Sequence, residues 1–324
     1  MTLHPNLILA VFLFFTLSCQ QQVNKEEQEE KEKNTSLQLP GNQSEDTFNQ
    51  FWYQGTAELT SYDLQQARYG EMRKGEAVLI FVTEDFLVNS QVKKERKTEE
   101  ESTSVLKLNF LRKFPTGIYD YSMMTSVFQP IHQEEFLMPL KITSSSQDWC
   151  GHSWMQLNRN ASGFDLKSYS YFQNEGDQSF ELDEVLLENA LWNQIRINPD
   201  QIPRGERMVF PSADYFRFSH QELKPYKAVI TVEKAARENY PNLKSFTVNY
   251  PELDRLLTIY FQSEFPHEIL GWTERRKSGF GDAAQLMETS AWQKAAMKTP
   301  YWSQNKLKDS TLRDSLKLLE FKGE

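Results

Sequence analysis

The stretch that decides the fold is Gly117-Ile-Tyr-Asp-Tyr-Ser-Met-Met-Thr-Ser-Val-Phe-Gln-Pro-Ile131. Within it every second residue is bulky or β-branched, namely Tyr119, Tyr121, Met123, Thr125 and Val127. Side chains of a strand point alternately to opposite faces, so these five share one face. The stretch predicts a long strand. The polar connection 132–139 joins it to a second predicted strand at residues 140–157.

The second arm is rich in Ser and Thr and has no apolar stripe of helical period, which disfavours a helix. Gly151 inside it indicates a bulge or a close backbone approach. This predicted strand is long, and it is polar on parts of both faces. Such a strand is expected in a curved sheet or open barrel, in which one face of the sheet lines a cavity. The candidate ligand-binding residues on these arms are Tyr119, Tyr121, Met123, Trp149 and Trp154. A well-packed aromatic core is the alternative.

Strand patterns continue on both sides of this hairpin. The other predicted strands are residues 51–62, 77–82, 105–113, 164–172, 207–210, 226–233, 244–250, 255–262 and 267–275. Residues 183–195 and 311–321 carry apolar residues at helical spacing. The charge-dense segment 91–103 is predicted to be an exposed hairpin tip. The sequence therefore predicts a mainly β protein, with one large curved antiparallel sheet or open β-barrel, one helix across it and a short C-terminal helix.

The N-terminus has the order of a sorting signal. An apolar run at residues 7–17 is too short for a bilayer, which needs about 20 residues. It is followed by Ser18, Cys19 and a glutamine-rich segment, and this order resembles a bacterial lipoprotein signal in which Cys19 is acylated. The resemblance implies attachment to the outer membrane, on the periplasmic side or at the cell surface. An ordinary cleaved signal is the alternative.

Composition and net charge indicate how the chain is divided and which partners it can have. We predict a signal peptide at 1–18, a lipidated cysteine and disordered tether at 19–47, an antiparallel β domain at 48–282 and a C-terminal helical extension at 283–324. The net charge of −9 argues against a nucleic-acid partner, which needs a basic face. Cys150 is the only cysteine besides Cys19, so no disulfide is expected within the folded part.

Two resemblances follow from longer stretches. Residues 51–75, 81–85 and 148–152 resemble a group of Flavobacteria-type lipoproteins, some labelled "septum formation inhibitor Maf". A Maf nucleotide pyrophosphatase is an α/β protein that opens with an Arg-rich phosphate-binding motif, and this sequence has none. The order of elements over residues 51–272 is similar to curved-sheet periplasmic proteins and, more distantly, to the lipoprotein carriers LolA and LolB. This resemblance implies an open sheet with an apolar cavity.

The sequence offers few candidate residues for catalysis or metal binding. Asp148, Cys150 and His152 would share a face of one strand and are the weak catalytic candidates, although same-face neighbours stand about 6–7 Å apart, beyond hydrogen-bond reach. A small buried thiol beside a histidine is the alternative. The five histidines have no metal-site spacing, so neither a metal nor another cofactor is expected. The turn Gly279-Phe-Gly-Asp282 lacks the lysine of a phosphate-binding loop and is predicted to be a flexible turn.

Three functions stay open at this stage. The first is a non-enzymatic lipoprotein that binds an apolar or lipid-like ligand in a concave sheet. The second is an assembly lipoprotein whose segment 91–103 or C-terminal tail docks an envelope partner. The third is an enzyme, either a hydrolase built on Cys150 or a nucleotide pyrophosphatase.

Overall fold

The computed structural model describes residues 45–132, 138–238 and 240–319. The predicted signal peptide, Cys19, most of the tether and residues 133–137 of the predicted connection lie outside these ranges. The strands are Ala57–Arg68 (β1), Glu71–Leu87 (β2), Ser102–Pro115 (β3), Asp120–Pro130 (β4), Lys141–Asp148 (β5), Gly151–Arg159 (β6), Gly163–Tyr169 (β7), Asp177–Asp183 (β8), Leu186–Leu187 (β9), Gly205–Phe210 (β10), Tyr226–Lys234 (β11), Leu243–Tyr250 (β12), Arg255–Gln262 (β13), Ile269–Ser278 (β14) and Gln285–Thr299 (β15). The helices are Glu45–Trp52 (α1), Glu188–Ile197 (α2), Ala213–Ser219 (α3) and Thr311–Ser315 (α4). Within these ranges, no helix is long and apolar enough to cross a bilayer.

All the strands belong to one open sheet. Its order is β8-β7-β6-β5-β4-β3-β2-β1-β15-β14-β13-β12-β11-β10-β9. Every neighbouring pair is antiparallel except β9 and β10. The first and last strands, β1 and β15, pair in the middle, and β8 and β9 form the two edges. The predicted mainly β, open-sheet fold is confirmed.

The sheet is strongly curled. Phe110 on β3 and Trp272 on β14 are four strand intervals apart, which would be about 19 Å in a flat sheet. Their rings nevertheless meet at a centroid distance of 5.1 Å. Trp192 of α2 contacts both rings, at 5.0 and 5.3 Å. The curl thus gives the sheet a concave face, and α2 lies against it.

Every residue of α2 is buried, including its charged and amide side chains. Arg196 forms a two-pronged ion pair with Glu58 of β1, in which Nη2 donates to Oε2 over 2.8 Å. Glu188 accepts Nη2 of Arg255 at 2.6 Å and the hydroxyl of Tyr250 at 2.6 Å. The sequence predicted an amphipathic helix starting at Asp183. The helix starts at Glu188 and has no solvent face, because its polar residues bind groups of the sheet instead of water.

The short helix α3 lies on the same face. Arg112 of β3 is ion-paired with its Asp214, and both side chains are buried. Arg217 donates to Asp148, at the end of β5, over 2.9 Å. These bonds fix α3 against β3 and β5, and α3 positions the site described below.

Three local predictions were wrong. The predicted strand 140–157 is a hairpin of β5 and β6 with a turn at Trp149 and Cys150, because the long arm folds back and pairs with itself from Lys141 to Asn158. Residues 45–52 form α1 instead of tether and strand, since Phe48 and Trp52 bury against the sheet. The predicted helical extension 283–324 contains β15, where pairing with β1 and β14 overrides the helix-forming residues of 285–299.

The Arg196–Glu58 pair gives a stability test. Replacing Arg196 with Met leaves Glu58 buried without its partner, so the free energy of unfolding should fall by about 3–5 kcal/mol in urea denaturation. The matched control is Arg204→Met, because Arg204 is half exposed and pairs with Asp200 on the surface. The control should cost no more than about 1 kcal/mol. Equal losses in the two variants would contradict the importance of the buried pair.

Glu274 gives a pH test. Burial alone would raise the pKa of its carboxyl, but the charges of Arg255, Arg276 and Arg112 outweigh burial and lower that pKa to about 2. A carboxyl whose pKa is lower in the folded state stabilises the fold above its unfolded pKa. That stabilisation is lost as the pH falls towards the folded value. Between pH 5 and pH 2 the wild-type protein should therefore lose roughly 3 kcal/mol more unfolding free energy than Glu274→Gln. Parallel pH profiles of the two proteins would refute this role of Glu274.

Candidate functional site

A cavity of about 790 Å³ lies between strands β4 to β8 and helix α3. Cavities that hold small organic ligands in proteins span about 300–1,000 Å³. Serine hydroxyls are the commonest groups of its wall, so we call it the serine-lined cavity. Its serines are Ser144, Ser146, Ser153, Ser168 and Ser170.

Strand register explains how these side chains come together. Met123 of β4 faces Ser146 of β5, and Ser146 faces Ser153 of β6. In the next row, Met155 of β6 lies between Ser144 of β5 and Ser168 of β7. Alternation within each strand puts these residues on the face that α3 covers. The floor of the cavity therefore consists of serine hydroxyls and methionine side chains.

Helix α3 forms the opposite wall. Ser212 caps its N-terminus by accepting the backbone N–H of Tyr215 at 3.2 Å. His220, with a left-handed φ of 55°, ends the helix. Ala213, Phe216 and Arg217 of this helix line the cavity.

Arg217 is the central charged group of this wall. Its Nη2 donates to the Asp148 carboxylate, whose other oxygen accepts the backbone N–H of Cys150 at 2.7 Å. The guanidinium also lies over the Phe172 ring, 4.9 Å from the centroid. Asp148 thus holds both the β5–β6 turn and the α3 arginine.

Two polar groups at the wall lack protein partners. Nε and Nη1 of Arg217, and the hydroxyl of Ser146, form no hydrogen bond within the described parts of the chain. Both residues are more than nine-tenths buried. A buried polar group without a partner costs about 1–3 kcal/mol. These groups can donate to a ligand that offers oxygen or nitrogen acceptors.

A contact between two side chains, His220 and Glu175, forms part of the cavity wall. His220 Nδ1 contacts Glu175, which also accepts the hydroxyl of Ser170. Burial raises the pKa of Glu175, but the hydrogen bonds from His220 and Ser170 outweigh it, so this pKa is lower than usual. Glu175 is therefore ionised at neutral pH and can accept hydrogen bonds from a ligand.

The sequence-predicted ligand residues are divided between several places. Met123 and Trp154 line the serine-lined cavity. Tyr121 is buried, and its hydroxyl lies 2.6 Å from that of Tyr69; the hydroxyl of Tyr119 donates to Tyr69 over 3.3 Å. Trp149 is 73% exposed at the β5–β6 turn. The structure therefore brings two of these five residues to the cavity wall.

The candidate catalytic residues are not assembled. Cys150 lies exposed in the β5–β6 turn, and His152 is exposed at the start of β6. The Asp148 carboxylate binds Arg217 and the Cys150 backbone instead of an imidazole. Among the described residues, no hydrogen bond joins Cys150 to His152, and no group of His, Cys, Asp and Glu has the geometry of a metal site.

Sequence reasoning missed the helix that supplies Arg217. The segment 213–219 has only seven residues, and the charged Asp214 and Arg217 interrupt its apolar pattern. The available signal was Ser212, a preferred N-cap residue, directly before them. Ser144, Ser146 and Ser168 were included in predicted strands, but nothing local distinguishes a serine at a cavity from one in solvent.

The position of Cys150 gives a direct test. In a Cys19→Ser variant Cys150 is the only thiol. We expect a thiol reagent to modify it completely in the folded protein, at a rate close to that in denaturant, because the side chain is exposed. Cys150→Ser should change the unfolding free energy by no more than about 0.5 kcal/mol. A thiol protected until the protein unfolds would contradict the observed turn.

Comparison with protein-family models, with curated proteins and with solved structures gives no match to this chain in any of the three. The functional assignment therefore rests on the cavity and its wall.

Proposed function

We propose that this chain is a membrane-anchored lipoprotein of the bacterial envelope that binds a small amphipathic ligand in the serine-lined cavity, without transforming it. The observation that carries the proposal is a ligand-sized cavity lined by two buried side chains with unpaired polar atoms, Nε and Nη1 of Arg217 and the hydroxyl of Ser146. Buried polar groups in proteins are nearly always hydrogen-bonded. A bound ligand would complete their hydrogen bonding.

The wall indicates the chemistry of the ligand. Hydroxyl and amide groups of Ser153, Gln178 and Gln221 supply donors and acceptors, and Trp154 and Phe216 supply apolar faces. A purely apolar chain would bury these hydroxyls without partners, which is unfavourable. A lipid-like molecule with an uncharged polar head suits the wall better, because Arg217 is already neutralised by Asp148.

The membrane attachment is supported by the sequence alone. The apolar run, Ser18 and Cys19 stand in the order of a lipoprotein signal, and acyl chains on Cys19 would anchor the chain to the outer membrane. A ligand-binding domain held near a membrane fits a ligand that itself has an apolar part.

A docking role is the second candidate. The segment between β2 and β3 exposes residues 95–99, four of which carry charge: Glu95, Arg96, Lys97 and Glu99. This exposure favours contact with an envelope protein. Deleting residues 95–99 should abolish that contact and leave ligand binding unchanged. A hydrolase built on Cys150 has less support, because the Asp148 carboxylate binds Arg217 and the Cys150 backbone instead of an imidazole.

Blocking the cavity tests the main proposal. Ser168 is half buried on β7 and faces the cavity, whereas Lys167 is exposed on the opposite face of the same strand. Ser168→Phe should place a phenyl ring in the cavity and weaken ligand binding at least about tenfold, a loss of about 1.4 kcal/mol. The matched control Lys167→Phe should bind like wild type.

Native mass spectrometry of the protein purified from a bacterial envelope can measure both variants. We expect a bound small molecule in wild type and Lys167→Phe, and its loss in Ser168→Phe. A change in tryptophan fluorescence on adding back the extracted molecule, present in wild type and reduced in a Trp154→Phe variant, gives an independent titration. A wild-type protein that carries no small molecule, or equal occupancy in Ser168→Phe, would argue against the proposed function.

A further inference from the structure

A second cavity, of about 310 Å³, lies beyond α3 from the first. It is bounded by the β1–β2 turn, the end of α3 and the β14–β15 connection. The glycines of Gly279-Phe-Gly281 contribute to its wall, and we call it the glycine-turn cavity. Among the described residues, His220 and Gln221 alone line both cavities. Its volume is at the lower end of the range for small-ligand sites.

Two buried arginines line the glycine-turn cavity. Arg68 is 5% exposed and Arg276 is 2% exposed. Arg68 donates to the Phe218 carbonyl at 3.0 Å and to the hydroxyls of Tyr121 and Tyr69 at 3.0 and 3.2 Å. All these acceptors are neutral. Within the described ranges Arg68 has no carboxylate partner, and its Nε has no hydrogen bond.

The charges around these arginines do not balance. Four buried guanidinium groups cluster in this part of the interior, those of Arg68, Arg112, Arg255 and Arg276. The carboxylates they contact are three, Asp214, Glu188 and Glu274. Lys277 and Asp254 at the rim pair with each other at 2.8 Å, and Glu252 is exposed. One buried positive charge is therefore left without a buried negative partner, and it is that of Arg68.

Aromatic rings around Arg68 compensate only part of its unbalanced charge. The Arg68 guanidinium lies 4.2, 5.3 and 4.8 Å from the ring centroids of Tyr69, Tyr121 and Phe218. Such contacts stabilise a cation but provide no acceptor for its Nε–H. A buried charge without a counter-charge is costly unless an anion approaches it.

Neighbouring groups respond to the surplus charge. Burial tends to raise the pKa of Tyr69, but hydrogen bonds from Tyr119 and Tyr121 and the charge of Arg68 outweigh it, so this pKa is lowered. Burial lowers the pKa of Arg276; the charge of Glu274 opposes this, and the charges of Arg68, Arg255 and Arg112 add to it, so the pKa is lowered. The charge of Arg68 is one of the contributions that lower the pKa in both cases.

The glycine turn allows a ligand to come close to the backbone. Gly279 and Gly281 have φ values of 116° and 51°, a region that favours glycine. A Cβ on Gly281 would meet no atom within 4 Å, so the backbone there is accessible. Ser278 accepts the Gly70 N–H at 3.2 Å, and its hydroxyl can donate a further hydrogen bond.

We propose that the glycine-turn cavity binds an oxyanion of the phosphate class, free or as a phosphomonoester, with Arg68 and Arg276 as its charged ligands and Ser278 as a hydroxyl donor. Planar guanidinium groups bind phosphate oxygens through paired hydrogen bonds. The anion supplies the negative charge that the buried arginine cluster lacks. This site is separate from the serine-lined cavity and does not depend on a ligand there.

Isothermal titration calorimetry of the full-length protein tests the site. Inorganic phosphate and phenyl phosphate serve as probes, with acetate as the carboxylate probe and sodium chloride keeping ionic strength constant. We expect a 1:1 phosphate complex with a Kd below about 1 mM. Tighter binding of phenyl phosphate would assign the site to phosphomonoesters, and tighter binding of inorganic phosphate to the free ion. Acetate binding more tightly than both, or no saturable binding of either phosphate probe, would overturn the proposal.

Variants locate the binding. Arg68→Gln should weaken phosphate binding at least about tenfold, whereas the surface control Arg204→Gln and Ser168→Phe should bind phosphate like wild type. Circular dichroism verifies that each variant is folded. If Arg68→Gln does not fold, Arg68→Lys decides, because it keeps the charge but loses the planar fork, and it should still weaken binding. Unchanged affinity in the folded Arg68 variant would refute the site. Loss of phosphate binding in Ser168→Phe would place the anion in the other cavity and would also refute it.

Discussion

Ion pairs buried between the sheet and helices α2 and α3 fix the positions of these two helices on the sheet. Helix α2 has no solvent face, and its Glu188 and Arg196 reach β13 and β1. Such pairs add little net stability compared with apolar replacements, but any packing that leaves one charge alone is strongly penalised. The pairs therefore fix the helix positions on the concave face more strictly than apolar contacts would.

The short helix α3 depends on the same kind of contact and separates the two candidate sites. Asp214 and Arg217 attach it to β3 and to the end of β5. One side of the helix, with Phe216 and Arg217, lines the serine-lined cavity. The other side, with Tyr215 and Phe218, lines the glycine-turn cavity. This seven-residue helix thus contributes different residues to the wall of each cavity, and its ion pairs fix its position.

The two cavities differ in electrostatics. In the serine-lined cavity Arg217 has a carboxylate partner, Asp148, so the arginine leaves no unbalanced positive charge in the wall. In the glycine-turn cavity Arg68 has only neutral acceptors and aromatic rings. The difference comes from the groups that surround each arginine. Arg217 meets Asp148 at the end of β5. Arg68, the last residue of β1, meets the rings of Tyr69, Tyr121 and Phe218.

Patterns along the chain predicted the strands well where one face is buried. Tyr121, Met123, Thr125 and Val127 are buried as their alternation indicated. Prediction failed where neighbours in the sheet decide the structure. Strand β15 contains good helix formers but is extended because it pairs with β1 and β14. Residues 140–157 have a continuous strand pattern in the sequence, but the chain turns at Trp149 and Cys150. Of the candidate ligand residues, Met123 and Trp154 lie at a cavity, while Arg217 and Ser146 were not predicted to act there.

The sequence by itself determined the mainly β fold and the buried face of strands such as β4, because side-chain alternation is a local property of an extended backbone. Only the tertiary structure decided which charges meet. Arg112 and Asp214 are 102 positions apart, and Glu58 and Arg196 are 138 apart. The curl of the sheet brings such residues together, and curl depends on all the strands at once rather than on any one segment.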